Sequence, residues 1–291
     1  MKIALFGNEF SHNYVKYIKH LIQKLEDKDI KILIHQQFFD FLQESIDFND
    51  SIQIFERISK QDNIDFLFSI GGDGTLLRAV TYVRESNIPI LGINTGRLGF
   101  ISSVSTDQID DAVDNVLNGN YKIRSRTVLE LATENNLFGT TNFALNEVAI
   151  VKKDTSSMIR VDAFIDDEFL NSYWADGLLI STPTGSTGYS LSCGGPIILP
   201  GTKNIIIAPI APHNLNVRPI IINEKSVIRL KVEDRDQLAL VSLDSRSRAF
   251  DSSIELTIKK ANFKIKLIEP KDNSFITTIR TKLMWGSDKR N

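Results

Sequence analysis

The chain has 291 residues, of which 42% are hydrophobic and 24% are charged, so it has enough apolar residues for one large core or two smaller ones. At roughly 150 residues per domain, this length predicts about two domains. Lys and Arg total 34 and Asp and Glu total 36, and the resulting net charge of -2 argues against a general affinity for nucleic acid or anionic membranes. The single cysteine, Cys193, excludes an internal disulfide and favours a reducing, cytoplasmic setting.

Neither a leader nor a membrane span is predicted. The N-terminal apolar run is short and gives way to polar residues at Asn8, Glu9, Ser11 and His12, so we expect no signal peptide. No segment approaches the roughly 20 apolar residues that span a bilayer. The His, Cys and carboxylate residues show no zinc spacing, so no residue is assigned as a metal ligand.

Strands and helices alternate over residues 1–120. Apolar runs at 2–6, 30–34, 65–70 and 89–93 predict strands. Apolar residues at helical spacing predict helices over 13–26, over 38–46 and from about Thr75. Because strands that alternate with helices form βαβ units, we predict an α/β domain with a parallel, Rossmann-like sheet at 1–120.

The pattern changes to short β-like runs at about residue 121. These runs lie at 145–151, 159–165, 178–181, 204–208, 226–232, 237–243 and 253–258. They predict a β-rich, β-sandwich-like domain over 121–291. The segment 277–285 is expected to be a strand or an arm that returns to the first domain, and its sequence does not decide between the two.

The first motif is Gly-Gly-Asp-Gly-Thr at 71–75, between a predicted strand and a predicted helix. Glycines at such a turn let backbone N–H groups approach an anion, and the helix N-terminus adds partial positive charge, so the turn is expected to hold phosphate. The negative charge of Asp73 would repel a phosphate, so an Asp at this position is unfavourable unless a metal ion or a proton transfer uses it. The motif is not a Walker A loop, and Leu77 replaces the last glycine of the dinucleotide fingerprint. A tight turn with a surface Asp is the alternative.

A second glycine loop, Asn-Thr-Gly-Arg-Leu-Gly-Phe at 94–100, follows the fourth predicted strand. Ligands of open α/β sheets bind beyond the carboxyl ends of the strands, so both loops are expected to face one crevice. Two glycines and Arg97 suit phosphate, although a plain loop explains the sequence equally well.

Two further motifs lie in the second half of the chain. Asn146 and Glu147 interrupt an apolar run, where an unpaired polar group costs several kcal/mol, so a polar ligand is one possible partner. The alternative is that one of the two points to solvent from an alternating strand.

The segment 176–196 leads a strand into dense Ser, Thr and Gly residues, a good surface for a phosphate-bearing ligand, and Tyr189 offers a flat face for a base. A flexible linker is the alternative, but Pro183 and the flanking apolar runs argue against it.

Together these segments resemble the NAD kinase family. The Gly-Gly-Asp-Gly turn, the Asn-Glu pair and the Asp-Gly…Thr-Pro-Thr-Gly-Ser-Thr-Gly-Tyr-Ser-Leu-Ser segment occur in the family's order. The loop 98–100, the segment 211–219 and Thr281-Lys282-Leu283 also look like the family. Diacylglycerol kinases and phosphofructokinases carry related glycine turns, so the segment from Asp176 is the specific match. The resemblance implies an N-terminal α/β domain and a C-terminal β-rich domain. It also implies transfer of the ATP γ-phosphoryl group to the 2′-hydroxyl of the NAD adenosine ribose.

The resemblance implies roles at matching positions. Asp73 would be the general base for the 2′-hydroxyl proton. Asn146 would bind adenine, Glu147 the ribose hydroxyls and Asp176 the nicotinamide end. The other positions implied to contact nucleotide or phosphate are Gly71, Gly72, Gly74, Arg78, Phe100, Thr187, Gly188, Tyr189, Ser192, Ala211 and Arg246. Arg78 is equally explained as a solvated helix residue.

NAD and ATP are the implied substrates, with a divalent metal, Mg²⁺ by preference, and assembly as a homodimer or homotetramer. No nucleic-acid or membrane partner is expected. Trp174 stands where some relatives carry a basic residue, which leaves acceptance of NADH open.

One alternative function is a lipid kinase of the diacylglycerol type, but no amphipathic basic helix is present to support it. The other is a non-catalytic NAD(P) sensor, which would gain nothing from a carboxylate in the phosphate turn.

Overall fold

The computed structural model describes residues 1–96, 99–102, 104–153, 158–234, 237–270 and 274–286. Two compact units divide the chain, residues 1–125 with 265–291, and residues 126–264.

The strands and helices have the following bounds. The strands are β1 (Lys2–Gly7), β2 (Lys31–His35), β3 (Gln53–Phe55), β4 (Phe66–Ile70), β5 (Ile90–Asn94), β6 (Val104–Ser105), β7 (Tyr121–Arg126), β8 (Leu129–Ala132), β9 (Phe143–Ala144), β10 (Glu147–Lys152), β11 (Ile159–Ile165), β12 (Glu168–Ala175), β13 (Gly177–Ser181), β14 (Asn204–Ile210), β15 (Ile220–Asn223), β16 (Ile228–Glu233), β17 (Leu238–Leu243), β18 (Arg246–Asp251), β19 (Leu256–Lys260) and β20 (Ile265–Pro270). The helices are α1 (Val15–Glu26), α2 (Gln36–Leu42), α3 (Asp73–Val83), α4 (Ile109–Leu117), α5 (Tyr189–Ser192) and α6 (Phe275–Leu283).

The first unit is built on a sheet with the order β3-β2-β1-β4-β5-β20-β7, and β6 pairs with β5. The pairs from β3 to β5, and β20 with β5, are parallel. Every residue of β4 is buried, as expected for a parallel strand covered on both faces. The chain leaves β1 for β2 on one side and later returns to β4 on the other, so the loops after β1 and β4 meet where the strand order reverses. Ligands of open α/β sheets bind at this point.

Apolar spacing explains the helices of the first unit. Helix α1 buries Val15, Ile18, Leu21, Ile22 and Leu25, which recur at three- and four-residue intervals, so the helix predicted over 13–26 is confirmed. Helix α2 ends at Leu42 and does not extend to residue 46. Ile46 follows a turn and packs into the same core, which explains why its spacing resembled that of a longer helix.

The C-terminal segment differs from the strand or arm expected at 277–285. Its strand is β20, which lies earlier in the chain, and the segment itself forms helix α6. The Ser274 hydroxyl accepts a hydrogen bond from the Thr277 N–H at 3.1 Å, an N-cap that favours a helix start. Ile279 is buried on this helix.

The second unit has two antiparallel sheets, with the orders β15-β14-β13-β10-β17-β18 and β12-β11-β16-β19-β8-β9. One continuous core joins their inner faces, with Val148 and Ile150 from the first sheet and Val161 and Ala163 from the second. Alternate residues of β11 are buried, as in a sheet with one covered face. The α/β first unit and the β-rich second unit confirm the predicted fold class.

Candidate active site

The glycine turn at 71–74 joins β4 to α3 in the first unit. Gly71 has φ +144°, and a Cβ there would meet the Thr75 Oγ1 at 2.3 Å, so this position requires glycine. A Cβ on Gly72 or Gly74 would meet nothing within 4 Å. The backbone of both residues therefore faces open space at the N-terminus of an 11-residue helix, where an anion is favoured.

The Asp73 carboxylate holds the loop that follows β5. Its Oδ2 accepts the Phe100 N–H at 2.7 Å, and its Oδ1 accepts the N–H groups of Ile101 at 3.2 Å and Ser102 at 2.9 Å. A Cβ on Gly99 would lie 1.8 Å from Asp73 Oδ1, so glycine is required there too. A carboxylate has about four acceptor directions, so Oδ2 keeps one for a further donor. Arg97 and Leu98 of the same loop lie outside the described residues.

Arg78 is tied to the loop after β1. Its Nη1 donates to Asn8 Oδ1 at 2.6 Å, and Asn8 Nδ2 donates to Thr75 Oγ1 at 3.4 Å. Arg78 and Asn8 border a cavity of about 710 Å³ at the carboxyl ends of β1 and β2. Sequence reasoning missed Asn8, because the residues it contacts are about 70 positions further along the chain. Phe100 packs under the Lys282 ammonium, whose Nζ is 5.8 Å from the ring centre.

In the second unit, Asn146 and Glu147 lie where the chain enters β10. Both are buried, at 8% and 9% exposure. Among the described residues, Asn146 Oδ1 and Glu147 Oε2 have no hydrogen-bond partner. Burial raises the pKa of Glu147 to about 8, and the negative charge of Asp244 adds to the rise. Two adjacent buried polar side chains thus each keep an oxygen for a ligand.

Gly188 lies against this pair. A Cβ there would lie 3.1 Å from Glu147 Oε2 and 3.3 Å from Asn146 Nδ2, so even a methyl group would crowd both polar groups. Tyr189, the next residue, is 44% exposed and its ring is available to a ligand. Thr187 is partly buried and Ser192 is exposed in the same segment.

Most hydroxyls of the segment 181–190 are directed into the unit. Thr182 Oγ1 donates to the Leu145 carbonyl at 2.6 Å, and Ser181 Oγ donates to the Asn146 carbonyl at 3.2 Å. Ser186 Oγ donates to the Pro183 carbonyl at 2.7 Å. The first two hydroxyls hold the Leu145–Asn146 backbone against the segment, and the third stabilises the segment itself. These hydroxyls are structural, so the polar surface available to a ligand is smaller than the composition of the segment indicated.

Asp176 and Ala211 lie side by side, because Gly177 and Ile210 are Cα partners of β13 and β14. The Asp176 Oδ1 pairs with Lys152 Nζ at 2.6 Å, and its N–H donates to the Ile210 carbonyl at 3.0 Å. Ala211 has φ +45°. Lys152 was not singled out from the sequence, since it reaches Asp176 only through the pairing of β10 with β13.

Arg246 is half-buried, and its guanidinium donates to the carbonyls of Thr141 and Phe143. Those bonds fix the chain just before Asn146. Its neighbour Asp244, which sequence reasoning missed, accepts three backbone N–H bonds from residues 145–147.

The described residues contain no group of three or more His, Cys, Asp or Glu side chains placed to hold a metal ion. Within the same residues, no helix combines the length and the apolar character needed to cross a membrane.

A parallel sheet with a glycine turn at a helix N-terminus, together with a β-sandwich unit that holds buried polar side chains, suits a protein that binds a phosphate-bearing ligand. Comparison with known proteins agrees. Residues 3–121 match the family described as ATP-NAD kinase N-terminal domain, and residues 145–270 match the ATP-NAD kinase C-terminal domain. The NAD kinase of Cytophaga hutchinsonii is 49% identical, with 100% of both chains covered, and that of Flavobacterium johnsoniae is 47% identical with the same coverage. The chain therefore belongs to the NAD kinase family.

Two solved structures are similar in fold. Yeast NADH kinase complexed with NADH has a TM-score of 0.87 at 24% identity, covering 99% of this chain and 88% of the yeast chain. An NAD kinase from Archaeoglobus fulgidus in complex with ATP has a TM-score of 0.76 at 25% identity, covering 98% and 99%.

Proposed function

We propose that the chain transfers the γ-phosphoryl group of ATP to the 2′-hydroxyl of the NAD adenosine ribose. The new bond joins the 2′-oxygen to Pγ, the bond from Pγ to the β–γ bridging oxygen breaks, and the products are NADP and ADP. The observation that carries the proposal is the buried Asn146–Glu147 pair, whose Oδ1 and Oε2 have no partner in the part of the chain that the structure describes, in a chain whose full-length relatives are named NAD kinase.

The second unit supplies groups for the NAD adenosine. The Asn146 amide suits the edge of adenine, and the Glu147 carboxylate suits ribose hydroxyls as an acceptor. Gly188 leaves room beside them, and Tyr189 offers its exposed ring for stacking. The remaining contacts are assigned to Asp176 at the nicotinamide end and to Thr187, Ser192 and Ala211 along the site. Arg246 acts here through the backbone at 141–143, which it holds.

The first unit supplies groups for phosphate and for the proton. The open backbone of Gly72 and Gly74 at the start of α3 suits a phosphate oxygen, with Gly71 shaping the turn and Arg78 beside it. Phe100 carries the backbone N–H that fixes Asp73 Oδ2. Asp73 is assigned as the general base, which takes the 2′-hydroxyl proton on the one acceptor direction that its three N–H bonds leave free.

The described residues do not fit a protein-held Mg²⁺ site. They contain no cluster of acidic or His ligands, and backbone N–H groups take three of the about four acceptor directions of the Asp73 carboxylate. Mg²⁺ in kinase sites is commonly held by substrate phosphates and water. We therefore assign the metal to the donor, as MgATP, and route no step through a protein-bound ion.

Several apolar side chains of the second unit are exposed, among them Phe169, Trp174 and Ile221, and Leu215 is 84% exposed. Exposed apolar residues in this number support a homodimer or homotetramer, which analytical ultracentrifugation would measure directly. A cytoplasmic location is assigned from the single cysteine.

The activity is tested by mixing the purified chain with NAD, ATP and Mg²⁺ and following NADP through an NADP-specific dehydrogenase. Asp73→Asn should keep NAD binding and lower kcat by about 10²-fold or more, the usual contribution of a general base. Asp107→Asn is the matched control, because Asp107 is also an acidic residue in the first turn of a helix of this unit but is exposed.

Turnover of Asp73→Asn within a few-fold of the parent would refute the base assignment. NADP binding without any ATP-dependent turnover of the parent would favour the sensor alternative, and phosphorylation of a lipid in its place would favour the lipid kinase.

A further inference from the structure

Asp244 occupies a two-residue turn between β17 and β18 that the function above does not use. Leu243 pairs with Arg246, so Asp244 and Ser245 form the turn, and Asp244 has φ +54°. Asp tolerates this left-handed conformation better than most residues. The Asp244 N–H donates to the Glu147 carbonyl at 3.0 Å, so the turn is fastened to the start of β10.

The Asp244 carboxylate holds three consecutive N–H groups. Its Oδ2 accepts the Leu145 N–H at 2.9 Å. Its Oδ1 accepts the N–H groups of Asn146 at 2.8 Å and Glu147 at 3.2 Å. Arg246, the first residue of β18, donates to the carbonyls of Thr141 and Phe143, so the turn and Arg246 together fix the backbone on both sides of residue 144.

Asp244 also acts on Glu147 through its charge. The charged or titratable groups that face Glu147 are Asp244, Tyr189 and Cys193, with Arg246 on the far side of Asp244. Burial raises the pKa of Asp244, but three N–H donors and Arg246 oppose that rise. Three backbone N–H donors and Arg246 favour the ionised form of Asp244, whereas Glu147 Oε2 has no partner among the described residues, so we place the negative charge on Asp244 and the proton on Glu147.

We propose that Asp244 is a positioning residue for NAD: it holds the backbone of Asn146 and Glu147, and it keeps Glu147 protonated in the free protein, so that NAD binding releases this proton to the solvent. The inference rests on the proposed role of Glu147 as the acceptor for the ribose hydroxyls. A merely structural Asp244 would change stability and affinity, but not the number of protons released.

The test is calorimetry of NAD binding at pH 7 in two buffers of different ionisation enthalpy, which counts protons released per NAD. The wild-type chain should release about one proton, because a group with a pKa of about 8 is mostly protonated at pH 7. Asp244→Asn should release fewer protons than the wild-type chain, because the charge of Asp244 adds to the effect of burial on Glu147, and it should weaken NAD binding about tenfold or more, with the KM for NAD raised more than kcat is lowered. Equal proton release by Asp244→Asn and the wild-type chain would overturn the proposal.

Two further variants separate the outcomes. Asp166→Asn is the matched control and should behave as wild type. Asp166 also has a positive φ and accepts a backbone N–H, from Val227 at 2.8 Å, but it lies in the turn between β11 and β12 of the other sheet. Glu147→Gln should bind NAD without releasing a proton, and it tests the source of the proton even if Asp244→Asn fails to fold. Unchanged proton release by Glu147→Gln would overturn the proposal. NAD binding with the expected proton count but no turnover would refute only the kinase assignment.

Discussion

Glu147 combines burial, an Oε2 that has no hydrogen-bond partner among the described residues, and a neighbouring negative charge. An ionised carboxylate in that position would cost several kcal/mol, so the free protein favours the protonated acid. A ligand that donates hydroxyl groups reverses the balance, because it solvates the carboxylate. Without a ligand the ionised Glu147 carboxylate therefore lacks hydrogen-bond donors, and a ligand with a diol would supply them. A residue selected for stability alone would find its hydrogen-bond partners within the protein.

This environment predicts a pH dependence of folding stability. The folded-state pKa of Glu147 is about 8, against an ordinary value of 4.5, so its contribution to stability is fully present below about pH 4.5 and is lost as the pH rises through about 8. At about 1.4 kcal/mol per pKa unit, the loss is on the order of 3–5 kcal/mol. Urea unfolding from pH 5 to 9 should show the free energy of unfolding of the wild-type chain falling relative to that of Glu147→Gln. A difference that stays flat over this range would show that Glu147 is ionised throughout.

Among the elements, the start of helix α3 has two glycines with different roles: we expect Gly71 to be needed for folding and Gly72 for phosphate binding. Gly71 needs its positive φ and has no room for a Cβ. Gly72 has φ -80°, and a Cβ there would have open space around it. Gly71→Ala should lower the free energy of unfolding by about 1–3 kcal/mol, the usual range for a strained backbone position. Gly72→Ala should leave thermal unfolding nearly unchanged and raise the KM for ATP, because a methyl group would stand where phosphate approaches.

The pair of variants is measured by thermal unfolding and by steady-state kinetics with ATP varied. Equal destabilisation by both variants, or a Gly72→Ala enzyme with the parent's KM for ATP, would contradict this assignment of the turn.

The elements that the sequence predicted correctly carry strong local patterns. The apolar runs of β1, β2, β4 and β5 and the spacing of α1 are properties of neighbouring residues. Helix α6 was missed because one buried residue, Ile279, gives little periodicity, and its start depends on the Ser274 cap. Asp244, Lys152 and Asn8 were missed for a different reason: each acts on residues far along the chain, and no local pattern records those contacts. The motif residues were singled out because glycines and polar side chains interrupt apolar runs there, and their roles remain proposals.

In the whole molecule, the first unit is completed by residues 265–291, which follow the entire second unit in the sequence. Strand β20 lies between β5 and β7 in the first sheet. A chain that ends at residue 264 should therefore lose the cooperative unfolding of the first unit, because β5 and β7 lose their shared neighbour. A chain that ends at residue 270 keeps β20 and should retain that transition at a lower temperature, since only α6 and its buried Ile279 are removed. Calorimetry of both truncations checks this, and a 264-residue chain with an unchanged transition would contradict it.

In the proposed reaction the chain phosphorylates one hydroxyl of NAD with ATP. ³¹P NMR of a reaction containing the chain, NAD, ATP and Mg²⁺ tests it most directly, because it reports the donor, the acceptor and the stoichiometry together. ADP should accumulate in equal amount to a single new phosphomonoester, identical in spectrum to the 2′-phosphate of NADP. ATP consumption that yields only inorganic phosphate, or a phosphomonoester at another position of NAD, would contradict it.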